Sequence, residues 1–367
     1  MIRIDRMPRR ALELTVFATL MAVSAAAGYA QGFDNDAPIT LGSTVPANGD
    51  VNPYGVARVP SSIGNLVEGQ FLVSNFNNAA NQQGTGTTIV QVSPNGSAHL
   101  FAAIDANKVS CPGGVGLSTA LVALRSGFVI VGSLPTTDGT AATAEAGCLL
   151  VLDSRGKVVE TVVGHQINGP WDMTAVDAGD IFALFVTNVL NGTVAANGNV
   201  VNGGTVVRML FVVPRSGPPQ LIASTVIASH FSERTDPNAL VIGPTGVAFD
   251  ELAGNLYVAD SLNNRIAVIP NALFRLNDAG AGKTFSQNGS LNDPLGLTLN
   301  GRDLFVANGD DGNIIEFNTI TGKQVDIDLV DASGGPPPGS GALFGLWATS
   351  SGVYFVDDAT NTFNFLR

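Results

Sequence analysis

The sequence predicts an all-β fold, a single six-bladed β-propeller of four-stranded blades, from three observations. A short apolar pattern that ends in Asn, Asp or Gly recurs six times along the chain. Gly, Pro and Asn separate short runs that are rich in β-branched and aromatic residues. The composition, with 43 glycines, 45% apolar and 13% charged residues, is typical of a folded, turn-rich β protein and not of a disordered chain.

The recurring pattern sets the number of blades. Its six copies are FLVSN (71–75), FVIVG (128–132), LFVTN (184–188), LYVAD (256–260), LFVAN (304–308) and VYFVD (353–357). Their last residues are separated by 57, 56, 72, 48 and 49 positions. A fixed repeat of this order, built from short strands, is the signature of a propeller with one blade per repeat.

Each repeat can be divided into four strands, of which the pattern is the second. A first strand that opens with Gly or Pro precedes it, as in PYGVARV (53–59), and two further strands follow polar turns such as Pro94-Asn95-Gly96. Two segments depart from the repeat. We expect an extended hairpin or flexible loop at 189–205, and a Pro- and Gly-rich link between the fifth and sixth blades at 334–341.

The two ends of the propeller are predicted to meet in one sheet. The sixth repeat stops after three strands, whereas the segment around Ile39 to Val45 precedes the first blade and has no partner of its own. Placed as the outer strand of the last blade, this N-terminal strand would close the ring and leave no unpaired edge there.

The first thirty residues have the features of a signal peptide. Four arginines precede an apolar stretch, Leu14 to Ala27, and small residues follow at 28–30. The stretch is too short to span a bilayer, which takes about 20 apolar residues. We therefore expect residues 1–30 to be removed and residues 31–367 to form the propeller. The mature protein would be exported to the periplasm or the extracellular space, with no integral membrane segment.

One blade resembles a known repeat family. The segment 243–270, GPTGVAFDELAGNLYVADSLNNRIAVIP, resembles an NHL repeat almost throughout, and the segment 293–323 also resembles the YVTN-type repeat. The NHL resemblance implies a six-bladed propeller, in agreement with the six patterns. It also invites comparison with the gluconolactonase- and paraoxonase-like hydrolases and the α-amidating lyases, six-bladed propellers that use metals at the channel mouth.

Charge and cysteine content limit the kinds of binding partner and metal site that the protein could have. Residues 1–30 hold four Arg, one Asp and one Glu, so their removal would leave 14 basic and 28 acidic residues and a net charge of −14. Such a charge disfavours nucleic acids and anionic membrane surfaces. Cys111 and Cys148 are candidates for one disulfide in an exported chain, and they are too few for a structural zinc site.

Candidate ligand residues gather at one mouth of the predicted channel, where first strands begin and second strands end. They are Asn75, Asn188, Asp260, Asn308, Asp357 and Asp172. A ring of oxygen ligands could hold Ca²⁺, although recurrent Asn and Asp residues more often cap tight turns. Trp171, Tyr54, Phe344 and Trp347 could stack on a ligand, and packing between blades is the competing interpretation.

The three histidines give little support to an enzyme. His99 is predicted in an outer strand, and His165 and His230 in two different inter-blade loops, so three imidazoles on one metal are not expected. His165 with Asp172 is the candidate catalytic pair. We therefore expect a monomeric, non-enzymatic module that binds a protein, peptide or glycan and requires no cofactor. The alternative is a cation-dependent, lactonase-like hydrolase or lyase at the channel mouth.

Overall fold

The predicted fold is confirmed. A computed structural model describes residues 37–367, and the predicted signal peptide lies outside them. Within this range the chain forms six antiparallel sheets arranged as a β-propeller. In the part of the chain that the structure describes, no helix is long and apolar enough to cross a membrane.

The first half of the chain supplies the N-terminal strand and three blades. The N-terminal strand is β1 (Ile39–Ser43). The first blade contains β2 (Val51–Arg58), β3 (Phe71–Asn77), β4 (Thr88–Val92) and β5 (Ala98–Ala103). The second contains β6 (Leu117–Ala123), β7 (Val129–Ser133), β8 (Cys148–Leu152) and β9 (Val158–Val162). The third contains β10 (Pro170–Asp177), β11 (Ile181–Asn188), β12 (Val201–Val212), β13 (Gln220–Asp236) and β14 (Leu240–Ile242).

The second half supplies the remaining three blades. The fourth contains β15 (Pro244–Asp250), β16 (Asn255–Asp260), β17 (Arg265–Ile269) and β18 (Lys283–Gln287). The fifth contains β19 (Pro294–Asn300), β20 (Asp303–Asn308), β21 (Asn313–Asn318) and β22 (Gln324–Leu329). The sixth contains β23 (Leu343–Thr349), β24 (Gly352–Asp357) and β25 (Thr362–Leu366).

The predicted closure of the ring is also confirmed. Strand β1 pairs with β25 in an antiparallel ladder from Ile39 opposite Phe365 to Ser43 opposite Thr362. Just beyond the ladder, the backbone N–H of Thr44 donates to the carbonyl of Asn361 at 3.0 Å. The sixth sheet therefore has four strands, of which the outermost comes from the opposite end of the chain.

Adjacent blades are joined by apolar packing around the whole ring. Five clusters of buried side chains connect each blade to the next, from the first to the sixth. A further cluster, which includes Phe71 and Val73 of the first blade with Val356 and Phe363 of the sixth, joins the two ends. Since no blade can bury both of its faces alone, the ring is the unit that folds.

The third blade departs most from the repeat. In residues 189–205, where we expected an extended hairpin or a flexible loop, an α-helical turn, α1 (Thr193–Ala196), precedes the long hairpin of β12 and β13, and a fifth strand, β14, extends the sheet. His230 lies inside β13, so the prediction of an inter-blade loop for it is wrong. The cause is the length of β13, whose 17 residues cover a segment that a regular blade would leave as a connection.

Six first strands share one irregularity. In each blade the pairing of the first strand with the second shifts register near the start of the first strand, and one equivalent position lies at the end of this irregular stretch. The residues at this position are Gly55, Ala120, Asp172, Gly246, Gly296 and Gly345. A Cβ atom at Gly246, Gly296 or Gly345 would collide with a carbonyl oxygen of the next blade around the ring. Close approach between blades therefore explains the recurring glycine.

Candidate functional site: the central channel cavity

The first strands enclose a cavity of about 450 Å³ along the propeller axis. Its walls come from every blade, and the side chains that line its outer end, including Arg58, Arg125, Glu251 and Leu252, are solvent-exposed. These residues lie where first strands end, so the cavity opens on that face of the propeller. A volume of this size is within the range of sites for small molecules.

Aromatic side chains fill the other end of the channel. Tyr54 lies with its ring centroid 4.0 Å from Phe344, 4.6 Å from Phe76 and 5.5 Å from Trp171. Tyr54 belongs to the first blade and Trp171 to the third, and each is only 1% exposed. These rings form an aromatic plug at the level where first strands begin, and the cavity therefore has a single mouth.

Asp172 lies at the depth of the cavity, in the position that glycine occupies in four other blades. Its backbone N–H donates to Thr187 Oγ1 at 3.0 Å, and its Oδ2 accepts a 2.9 Å hydrogen bond from the backbone N–H of Val247 in the next blade. The side chain is half-buried and lines the cavity. Within residues 37–367, no Lys, Arg or His forms a salt bridge with this carboxylate.

The surroundings of Asp172 change its acidity. Burial penalises the charged form and raises the pKa of Asp172 to about 7, while backbone hydrogen bonds from Val247 and Met173 offset part of this rise. A carboxyl group that titrates near neutrality can accept or release a proton, or pair with a cation, under ordinary conditions.

The mouth carries both signs of charge. The backbone N–H of Arg125 donates to Asp177 Oδ2 at 2.6 Å. Burial raises the pKa of Asp177 and of Glu251, and the nearby Arg125 guanidinium opposes both shifts. Asn300, also in the lining, donates from Nδ2 to the carbonyl of Thr349 at 3.2 Å. The entrance is therefore polar, whereas the walls behind it are largely apolar.

The predicted ligand residues at the ends of second strands lie elsewhere. Each is buried and pairs with a residue at or near the start of its blade's first strand: Asn75, Asn188, Asp260, Asn308 and Asp357. None of the five lines the channel cavity. The plugged end of the channel lies near them. Of the predicted oxygen ligands only Asp172 reaches the cavity, and of the predicted aromatic residues Trp171, Phe344 and Trp347 line it.

The contacts of these residues are internal to the fold. Asn188 and Asn308 each accept, through Oδ1, a 3.2 Å hydrogen bond from a backbone N–H of the preceding inter-blade connection. Asn75 donates from Nδ2 to the carbonyl of Thr44. Asp260 forms a salt bridge with Arg265 at 2.6 Å, and Asp357 accepts from the backbone N–H of Thr360. Side chains of this kind fasten turns and connections.

His165 and Asp172 are not brought together. His165 borders a second cavity of about 490 Å³, an outer groove between β9 and the loop that leads into β13, which Glu160, Thr161 and Pro218 also line. Asp172 lines the channel instead. His99 lies in the outer strand β5, as predicted, and its ring nitrogen is 3.2 Å from Nε2 of Gln91.

The described residues do not fit a metal centre. Between residues 37 and 367, no group of three or more His, Cys, Asp or Glu side chains could hold a metal ion. Ca²⁺ takes six to eight oxygen ligands, and the channel offers one deep carboxylate. Separately, Cys111, in the connection between the first and second blades, forms a disulfide with Cys148 of β8.

Sequence reasoning missed the residues at the cavity mouth. Arg58, Arg125 and Glu251 follow the apolar part of their first strands, where a charged residue indicates only that a strand is reaching solvent. Their common signal was their position within the repeat, since each lies three to five residues beyond the glycine-equivalent position. Recognising it required knowing which end of the channel is plugged.

Comparisons with known proteins support the fold. No protein-family model matches the sequence, and no curated protein sequence matches it significantly. Among solved structures, the chain is similar to an aldose sugar dehydrogenase from Streptomyces coelicolor in its PQQ-bound form (12% identity, TM-score 0.52, 90% of this chain and 96% of that one). It is also similar to regucalcin, a calcium-binding protein from Agrobacterium tumefaciens (12%, 0.51, 89% and 93%), and to a gluconolactonase from Xanthomonas campestris (14%, 0.50, 93% and 98%). At these identities the likeness shows a propeller fold alone.

Proposed function

We propose that this protein is an exported, non-enzymatic binding propeller that takes a small ligand, or the end of a peptide or glycan, into the channel cavity. The observation that supports the proposal is the cavity itself, which is closed by the aromatic plug and has an acidic side chain at its depth. Apolar walls with a few placed polar groups are the usual composition of a small-molecule site. The NHL-like repeat and export remain parts of this proposal.

The chain provides its own probe for ligand binding. Its two tryptophans, Trp171 and Trp347, both line the cavity. Intrinsic tryptophan fluorescence and thermal unfolding can therefore be used together to screen amines, sugars and short peptides. A ligand of the channel should change the fluorescence and raise the unfolding temperature in proportion to its occupancy.

A blocking variant tests the location of the site. Thr174 lines the cavity and Thr161 lines the outer groove, and both are half-buried. In Thr174→Phe the ring would occupy the channel, so binding should fall at least tenfold, whereas Thr161→Phe, which adds the same bulk outside, should bind as the wild type does. Equal binding by both variants would contradict a channel site.

A lactonase-like hydrolase is the second candidate, and the acidity of Asp172 supports it. A carboxyl whose pKa is about 7 is suited to general acid–base catalysis at neutral pH. A screen of esters and lactones, with and without added Ca²⁺, tests this candidate. Turnover that is lost in Asp172→Asn would favour the hydrolase over the binding module.

A further inference from the structure

We propose that the ligand of the channel cavity carries a primary ammonium group beside an apolar body, and that this ammonium binds the carboxylate of Asp172. The inference rests on the proposed function and names the ligand class for that site. Amines of two sources share this chemistry, small free amines and the N-terminus of a peptide.

Across residues 37–367, the carboxylate of Asp172 is isolated from the charged side chains of the protein. Asp172 Oδ2 accepts from a main-chain N–H, and the backbone N–H of Asp172 donates to a hydroxyl group, so neither of these partners carries charge. A carboxylate away from bulk water is costly unless a cation pairs with it. The protein supplies no cation at this depth among its described residues, so a cationic ligand would complete the pair.

Asp172 differs from the residues at the equivalent position of the other blades. Four of the other five blades have glycine there, because the neighbouring backbone approaches closely. The third blade has a carboxylate at this position, whereas the other five blades have glycine or alanine. This carboxylate lines the cavity, and its Oδ2 accepts a hydrogen bond from the backbone of the next blade.

The wall of the cavity across the channel from Asp172 is aromatic. The third and sixth blades lie on opposite sides of a six-bladed ring, so Trp347 of β23 lies across the channel from β10. Trp347 is half-buried and lines the cavity, as do Phe344 and Leu346. An aromatic face opposite a carboxylate suits a cation that bears an apolar group.

The charge of the lining agrees with this ligand class. The lining includes two basic and four acidic side chains: Arg58, Arg125, Asp172, Asp177, Asp250 and Glu251. The whole chain has a formal net charge of −12. Both the cavity and the protein therefore attract cations and repel anions.

The test compares three probes of one shape: 2-phenylethylammonium, 2-phenylethanol and 3-phenylpropionate. Binding is measured by calorimetry and tryptophan fluorescence at pH 8. We expect the ammonium probe to bind at least tenfold more tightly than the alcohol, and the carboxylate to bind more weakly than either. Phenylalanyl-glycyl-glycine with a free and with an acetylated N-terminus distinguishes a peptide end from a free amine as the source.

Variants assign the effect to the carboxylate. Asp172→Asn should lose at least tenfold in affinity for the ammonium and leave affinity for the alcohol unchanged, while Asp326→Asn on the outer strand β22 should behave as the wild type. Trp347→Leu is the second variant, should Asp172→Asn fail to fold, and should weaken the ammonium more than the alcohol. If the alcohol or the carboxylate binds as tightly as the ammonium, the inference is overturned and the binding module stands. If no probe and no compound of the broader screen binds, the ammonium inference and the proposed binding function are both contradicted.

Discussion

Asp172 of the third blade accepts a 2.9 Å hydrogen bond from the backbone N–H of Val247 in the fourth. The acidic side chain thus joins two blades at a level where glycine permits close backbone contact elsewhere in the ring. One residue has a structural contact on one side and faces the cavity on the other. Substitutions can separate these two roles.

Asparagine and alanine at position 172 should differ in stability. Asp172→Asn keeps an oxygen acceptor for Val247, so at pH 5 its free energy of unfolding should equal that of the wild type. Asp172→Ala removes the acceptor and should cost about 1 kcal/mol. Chemical denaturation of the three proteins at pH 5 checks this. Equal losses in both variants would show that the hydrogen bond does not account for the effect.

Stability should fall as pH rises from about 5 to 8. Burial raises the pKa of Asp172, Asp293, Glu316 and Asp358 to about 7 and that of Glu233 to about 8. In the unfolded chain the pKa of such groups is about 4, so between pH 5 and pH 8 the native state binds more protons than the unfolded state. The stability that this proton binding contributes is lost as the carboxyl groups of the native state ionise. We expect the unfolding temperature to drop by at least about 5 °C, measured by calorimetry. A higher unfolding temperature at pH 8 than at pH 5 would contradict the raised pKa values.

Glu233 should account for part of the alkaline loss. Its side chain is fully buried in β13, with Oε1 accepting from the backbone N–H of Asn191 at 3.0 Å and Oε2 without a partner. Glu233→Gln keeps the acceptor and cannot ionise. Its free energy of unfolding should therefore exceed that of the wild type by about 2 kcal/mol at pH 9 and differ little from it at pH 5. Glu68→Gln, at an exposed position, is the control and should change neither value.

Closure of the ring can be tested at one glycine. A Cβ on Gly42 of β1 would collide with the backbone carbonyl of Gly96 in the first blade. Gly42→Val should therefore destabilise the protein by about 2 kcal/mol or more, because neither backbone can yield without breaking the ladder to β25. Thr40→Val, an exposed position of the same strand, should be neutral. Equal stability of the two variants in urea would show that closure contributes little.

The disulfide should stabilise the second blade. Cys111 and Cys148 are 37 residues apart, and closing a loop of this length lowers the entropy of the unfolded chain by an amount worth about 4 kcal/mol. Reductant should lower the unfolding temperature of the wild type and leave the Cys111→Ala/Cys148→Ala double variant unchanged. A wild-type protein that is insensitive to reductant under denaturing conditions would be at odds with this contribution.

The architecture could be predicted because its signals are local and repeated. The six patterns lie in six second strands, and the unpaired segment near Ile39 could be placed because the sixth blade lacked a strand. His230 was misplaced because nothing in a regular repeat predicts a 17-residue fourth strand. Local pattern therefore specified the blades but not the insertion within one of them.

The candidate site could be predicted only in part. Asp172 and Trp171 were identified from the sequence, yet the end of the channel that opens depends on where side chains from separate blades meet. Tyr54, Phe344 and Trp171 are more than 50 residues apart in sequence, and their contact closes one mouth. Such a contact is a property of the assembled ring, which no single repeat contains.

Because β1 pairs with β25, the sixth blade cannot be completed until β25 has been synthesised. The strand made first must wait for the strand made last, since Thr44 and Asn361 bond across 317 positions. A nascent chain that ends before Thr362 lacks β25 and would leave the two strands that pair with it, β1 and β24, with exposed edges. Completion of the sixth blade therefore requires residues from both ends of the propeller.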